Sequence, residues 1–210
     1  MASELSKYPP MLLVERPLDF RSPGWLWEIK FDGYRTTAQL GQGKCELRSR
    51  KGADATKWFP ELSKSLAAVE GGPFIVDGEV CVLDEVGRSD FEALQDRARR
   101  RKWYEGARPV TYCVFDLLAV DGRDLTGLPL IERKEVLAEI LSPSPRFVLL
   151  VGHFEEHAEA LFKSAVHQLK LEGLVAKRAD SLYKPGIRSS DWVKVKRRGA
   201  IPAERFKRTS

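Results

Sequence analysis

An α+β fold is predicted by three features of the sequence: many short strand-like runs, a few plainly helical segments, and an irregular order joined by hairpin-like connections. A doubly wound parallel sheet needs regular strand–helix alternation, and the sequence does not supply it.

Taken in order, the opening stretch with Pro9, Pro10, Pro17 and Pro23 predicts an extended or irregular arm, because proline and the residue before it disfavour helix. Strands are expected at Trp25 to Lys30, Tyr34 to Leu40, Lys44 to Ser49, Phe74 to Leu83 and Val110 to Leu118. Further strands are expected at Arg146 to Val151, Leu174 to Arg178 and Trp192 to Arg197. Between them, PELSKSLAAVE predicts a helix with Pro60 in its first turn. SDFEALQDRARRR predicts a second, capped by Ser89 or Asp90. A third covers Ile131 to Leu141 and stops at the Pro143 and Pro145 stretch. In EEHAEALFKSAVHQLK, Ala158, Leu161, Phe162, Ala165, Val166 and Leu169 recur at steps of three and four, which predicts one amphipathic helix.

The 210 residues are enough for a hydrophobic core without metal or disulfide staples. Hydrophobic content of 43% and charged content of 31% describe an ordinary soluble globular protein. The longest apolar run, VTYCVFDLLAV, is broken by Asp116, and MASELSKYPP lacks the basic-then-apolar plan of a signal peptide. A cytoplasmic location is expected, nucleoid-associated if the source is bacterial, with no membrane partner. Cys45, Cys81 and Cys113 lie far apart in strand-like stretches and are expected to be reduced, packed thiols. His153, His157 and His167 are expected to be surface or helix-packing residues. The net charge of +5 and pI of about 9.1 lean towards an anionic partner. The cations gather in RARRRKW and in KVKRRGAIPAERFKR; such runs are ordinarily solvated faces, and here they also suit a phosphate backbone.

The segment WEIKFDGYR is the most informative. Two-residue periodicity puts Glu28 and Lys30 on one side of a strand and Trp27, Ile29 and Phe31 on the other. Asp32-Gly33 reads as a tight turn, with Arg35 returning on the next strand. An amine beside such a turn can serve as a nucleophile once its pKa is lowered; a hairpin with a surface ion pair explains the segment equally well. WVKVKRR places Lys194 and Lys196 on one strand face with Trp192, and a shared anion would relieve their repulsion. In LEGLVAKR, Glu172 could hold a hard divalent cation, near Lys177. In IVDGEV, Asp77 and Glu79 share a face, and Phe115 in YCVFDLL suits either the core or a purine ring. Singly, each has a structural reading at least as good.

Together these segments resemble the covalent nucleotidyltransferases: ATP-dependent DNA ligases, RNA ligases and mRNA-capping enzymes. The family's KxDGxR motif stands as Lys30-Phe31-Asp32-Gly33-Tyr34-Arg35. It is followed by SRKG with Arg50, Asp77-Gly78-Glu79, YCVFDLLAVDG, EGLVAKR and WVKVK, in the family's order from Trp25 to Arg198. LRSRKG, VFDLLAVDG and YKPGIRSSDWVKVK are most similar to the ligase domain of bacterial end-joining ligases of the LigD type. The resemblance implies a fold of mostly antiparallel sheets flanked by helices, with an ATP cleft between them. It implies that Lys30 attacks the α-phosphate of ATP within a catalytic set of Lys30, Asp32, Lys194 and Lys196. Glu28 would lie at the base edge and Phe115 under the adenine, while Arg35, Arg50 and Glu79 would contact the sugar or help place the reacting groups. Lys177 is matched by motif, and Lys194 and Lys196 would bind the α-phosphate. Mg2+ or Mn2+ would sit at Glu172 and Glu79. AMP would then pass to the 5′-phosphate of nicked double-stranded DNA for strand sealing in repair. The DNA backbone would be gripped by Arg99, Arg100, Arg101, Lys102, Arg197 and Arg198. Ku-like and polymerase/primase partners follow from family analogy alone.

The expected organisation is an N-terminal arm (1–24), an adenylation domain (25–198) and a basic C-terminal tail (199–210). The tail is too short for the OB-fold domain of the family's ligases, which leaves an excised fragment or a stand-alone catalytic domain; the Met1 start and the basic tail favour the stand-alone form. The alternatives are an RNA ligase or capping-type transferase, separable by GTP labelling, and a weakly catalytic DNA-end-binding module of a repair complex.

Overall fold

The computed structural model describes residues 3–200. Among the described residues, ten strands are distributed over two sheets. The smaller has the order β1-β10-β9-β2, from Leu12–Glu15, Arg188–Lys196, Gly173–Arg178 and Trp25–Ile29. Its pairings are antiparallel except β1 with β10. The larger runs β4-β3-β5-β6-β7, from Lys44–Ser49, Tyr34–Gly41, Phe74–Cys81, Thr111–Val120 and Arg123–Asp124. Its strands are antiparallel, and β8 (Val148–Leu150) adds a parallel pairing to β6. Helices α1 (Pro60–Ala67), α2 (Phe91–Arg100), α3 (Leu130–Ile140) and α4 (Ala158–Leu161) complete the architecture. This is the expected α+β fold, and the predicted helices α1 to α3 stand within a few residues of their expected bounds. Asp90, the second of the two cap candidates, accepts from the Ala93 N–H.

Strand alternation divides the core into layers. On β5, Val76 and Val80 face a cluster shared with Leu62 of α1, Leu94 of α2 and Leu137 of α3. Ile75 and Cys81 point the other way, into a cluster between the sheets with Phe115 and Trp192. Val193, Trp25 and Trp27 fill a third cluster on the outer face of the small sheet, with Ala158 and Val166. Asp77 and Glu79 share the Ile75 side of β5, and Lys194 and Lys196 share the Trp192 side of β10. These candidate polar residues therefore converge on the space between the sheets.

Three expectations are corrected. WEIKFDGYR is not a hairpin: β2 pairs with β9 in the small sheet, whereas β3 pairs with β4 and β5 in the large one. The Lys30–Gly33 segment crosses between sheets, and its N–H groups are met from both sides. Lys30 donates to Gly173 O at 3.0 Å, Asp32 to Ser89 Oγ at 3.0 Å and Gly33 to Glu79 Oε1 at 3.2 Å. Glycine is needed at 33 for close approach rather than for turn freedom, because a Cβ there would sit 2.2 Å from Val80 O.

The opening stretch is not simply extended or irregular. It holds a 3₁₀ turn at Glu4–Lys7 and strand β1, and it buries Leu5, Tyr8 and Met11 between the sheets. Proline breaks helix, but the proline-free run between Pro10 and Pro17 keeps its N–H groups and can pair. The expected helix after Glu155 runs without a break from Ala158 but carries a π-helical turn at Phe162–Val166, so its periodicity is corrected. A π turn shifts the periodicity, and Leu169 ends 39% exposed instead of joining the apolar face. Cys81 and Cys113 are buried free thiols and Cys45 is partly buried and free, as expected.

Candidate active site

Lys30 follows the last residue of β2 and lines two adjoining hollows. One is a cleft between the sheets with Glu28, Arg35, Glu79, Phe115 and Lys177 on its walls. The other is a recess with Asp32, Arg88, Lys170, Glu172 and Arg197. Lys30 Nζ lies 2.6 Å from Glu172 Oε2, both side chains being under one-fifth exposed. Close packing of β9 on β10 brings Glu172 there. A Cβ at Gly173 would sit 2.2 Å from Val195 O, so a side chain at 173 would push the strands apart.

A chain of alternating charges continues from that pair. Lys196 Nζ is 3.9 Å from Glu172 Oε1 and 3.6 Å from Glu15 Oε2, and Lys194 Nζ is 2.9 Å from the same Glu15 oxygen. The shared anion expected for Lys194 and Lys196 is here the Glu15 carboxylate. Its hydrogen bond with Lys194 holds Glu15 below the usual carboxylate range.

On the opposite wall, Arg35 is committed to Asp77 through two hydrogen bonds of 2.6 Å, and the Tyr183 hydroxyl donates to Asp77 at 2.6 Å. Burial works against the Arg35 charge, yet Asp77 more than offsets it and raises the guanidinium's pKa. The Arg35 guanidinium carbon lies 4.6 Å from the Phe115 ring centroid. Glu79 receives the Gly33 N–H, and burial pushes its carboxyl up to about 7 despite Arg35 and Lys30.

At the inner end, Glu28 is almost fully buried between two lysines. Lys134 Nζ is 2.8 Å from one carboxylate oxygen and Lys177 Nζ is 2.7 Å from the other. Burial alone would raise Glu28, but the lysines hold it below its ordinary value. Burial also lowers Lys177 to about 8, with Glu28 opposing. Lys177 Nζ stands 4.0 Å from the Phe115 ring centroid and 4.3 Å from that of Trp192. Lys134 further donates to Phe115 O and Val151 O, each at 3.2 Å. Its neighbour Arg133 grips Asp116 with two bonds of 2.8 Å, both side chains fully buried, which fixes α3 against β6.

Of the expected site residues, Glu28, Lys30, Arg35, Glu79, Phe115 and Lys177 therefore share one cleft, and Asp32 and Glu172 adjoin it across Lys30. Lys194 and Lys196 connect through Glu15 and Glu172. Arg50 is set apart: its side chain is exposed, and its N–H donates to Arg35 O at 3.0 Å. Glu172 and Glu79 line different hollows, and among the described residues no three metal-ligating side chains cluster.

Of the expected DNA contacts, Arg197 lines the recess and donates to Leu171 O at 3.1 Å, while Arg198 is exposed. Arg99 to Lys102 lie at the far end of α2 and line neither hollow. Tail residues 201–210 lie outside the described residues. The basic run RARRRKW is not wholly a solvated face, because Arg97 is fully buried and paired with Glu61.

Sequence reasoning missed Glu15, Lys134 and Tyr183. Only Lys134 carried a signal: with Arg133 it falls on the i, i+3, i+4, i+7 stripe of Leu130, Leu137 and Leu141, where charge is out of place.

The family model of the ATP dependent DNA ligase domain matches residues 13–196. The chain is 33% identical to the multifunctional non-homologous end joining protein LigD of Mycolicibacterium smegmatis over 193 residues, covering 90% of this chain and 24% of that protein. It is 35% identical over 186 residues to the SPbeta prophage-derived DNA ligase-like protein LigB of Bacillus subtilis, covering 89% and 66%. A solved structure of mycobacterial DNA ligase D complexed with ATP and MES superposes with a TM-score of 0.72 at 31% identity. That superposition covers 92% of this chain and 62% of the other. The chain thus spans about a quarter of the length of the LigD relatives it matches.

Proposed function

The chain belongs to the ATP-dependent DNA ligase domain family, and from that premise we propose that Lys30 takes AMP from ATP and passes it to the 5′-phosphate of nicked DNA. The observation that carries the proposal is the place of Lys30. It stands where the cleft meets the recess, with Lys194 and Lys196 on β10, the strand beyond β9 in the same sheet.

The amine must be neutral to attack, and its proton leaves before or as the N–P bond forms. That bond replaces the bond from the α-phosphorus to the bridging oxygen, and pyrophosphate departs with the electron pair. Charge gathering on the α-phosphate would be met by Lys194 and Lys196 once phosphate displaces Glu15 from them. In the cleft, Phe115 lines the wall against which the purine would pack once it displaces the cations over the ring, and the ionised Glu28 can accept from the exocyclic amine. Arg35 and Glu79 stand on the wall where the ribose would lie. The 5′-phosphate of DNA then attacks the lysyl-bound AMP, regenerating the amine, and a 3′-hydroxyl displaces AMP to seal the strand.

A divalent cation fits only in part. One carboxylate, Glu172, faces the reacting amine, which suits an ion such as Mg2+ that keeps water and takes phosphate oxygens. Bound there, it would supply further neutralisation of phosphate charge.

Incubation with α-labelled ATP and Mg2+, followed by denaturing electrophoresis, tests the covalent step, with intact-mass measurement detecting protein already adenylated. Label is expected on the wild type and absent from Lys30→Ala. Label retained on that variant would overturn the assignment. A nicked duplex tests transfer, and GTP in place of ATP tests for capping-type chemistry.

A further inference from the structure

We propose that Trp103, presented at the end of α2, is a stacking platform for an unpaired base of a single-stranded DNA extension, separate from the cleft. The proposal rests on the reading that this chain acts on DNA. Trp103 is 50% exposed, an unusual state for the largest apolar side chain. Its position is nonetheless held from beneath. Arg97 is fully buried, pairs with the Glu61 carboxylate, and donates to Lys102 O at 2.8 Å. The same guanidinium carbon lies 5.3 Å from the Trp103 ring centroid and 5.7 Å from that of Tyr104. Arg101 ends the helix in the left-handed region, with φ of 50°, and its guanidinium lies 5.5 Å from the Trp58 ring. Arg100 sits 4.0 Å from the Tyr104 ring. A buried arginine thus braces an indole whose exposed surface has no need of it for folding.

The surroundings select a polyanion. Arg99, Arg100, Arg101 and Lys102 are exposed, against Asp96, which pairs with Arg99 at 3.6 Å, and Glu105. Cations that follow a phosphate chain, set around an open aromatic face, are what single-stranded nucleic acid binds, and stacking tolerates any base. Bases inside a duplex are already stacked on each other and cannot reach the indole. An intact duplex would therefore use the cations alone, and only an overhang or frayed end would use Trp103.

Fluorescence anisotropy with the full chain tests this on three labelled probes: a blunt duplex, a nicked blunt duplex, and the blunt duplex bearing a short thymine extension. The wild type should favour the extended probe. Trp103→Ala should weaken that probe roughly ten-fold, the loss of one stacked base, and leave the other two within about two-fold. Trp103→Phe, which keeps a stacking face, should retain most of the preference, and both variants should self-adenylate as the wild type does. An equal loss on all three probes, or no preference for the extension in the wild type, would overturn the proposal. Binding to none of the probes by the wild type would overturn the DNA reading beneath it.

Discussion

Lys134→Met removes one ammonium from the inner end of the cleft and keeps the length of the side chain. Lys134 contributes a charge-assisted bond of 2.8 Å to Glu28 and bonds of 3.2 Å to the carbonyls of Phe115 and Val151. Breaking a buried ion pair from one side costs about 3–5 kcal/mol when the remaining charge is left alone. Here Lys177 stays 2.7 Å from Glu28, so the low end, about 3 kcal/mol, is expected in urea unfolding at pH 7. The sharper consequence concerns the nucleotide. If Lys134 holds the Glu28 carboxylate towards the adenine amine, its loss should erode selectivity for ATP over purine riboside triphosphate, which lacks that amine. A hydrogen bond to a charged group corresponds to a roughly 10–100-fold preference in self-adenylation rate. Glu28→Gln should lower the same ratio, and the double variant should lower it little further. A Lys134→Met protein that is destabilised but keeps wild-type selectivity would refute the positioning argument. Unchanged selectivity in Glu28→Gln would instead refute the role of Glu28.

Two further perturbations follow from the geometry. Glu79 has a folded-state pKa of about 7 against an ordinary 4.5, so the folded protein binds this proton more tightly than the unfolded chain. The resulting stabilisation is complete below pH 4.5 and lost as pH rises through 7. Glu79→Gln should flatten that part of the stability profile and exceed the wild type by about 2 kcal/mol above pH 7, the side chain's partial exposure discounting the full shift; parallel urea-denaturation profiles for the two proteins would contradict this. Gly33→Ala would place a methyl group 2.2 Å from Val80 O and 2.6 Å from Cys81 Sγ, both on the large sheet. A stability loss of several kcal/mol is expected together with slowed self-adenylation, because the crossing that carries Lys30 must shift. A crystal structure with the crossing unmoved would disprove the cause.

The sequence by itself determined eight of the ten strands, because period-two alternation and turn residues are local properties; Lys44–Ser49 stands at its expected bounds, whereas β1 and the two-residue β7 were not legible. It also determined which residues gather at the cleft, since Lys30, Glu79, Phe115 and Lys177 sit in short motifs whose order mirrors a known family. The destination of each strand was decided elsewhere. WEIKFDGYR has every local mark of a hairpin, and only the tertiary pairing of β2 with β9 and of β3 with β5 turns it into a bridge between sheets. Glu28 and Lys134 are 106 residues apart, and Lys194 meets Glu15 across most of the chain. No local periodicity encodes such meetings. Arg97 and Arg99 stand two places apart in one basic run, yet one is buried as a brace and the other is solvated, because a helix turns them to different faces. Lys30 could therefore be identified from its neighbours in sequence, whereas its chemical surroundings arise from packing two sheets face to face.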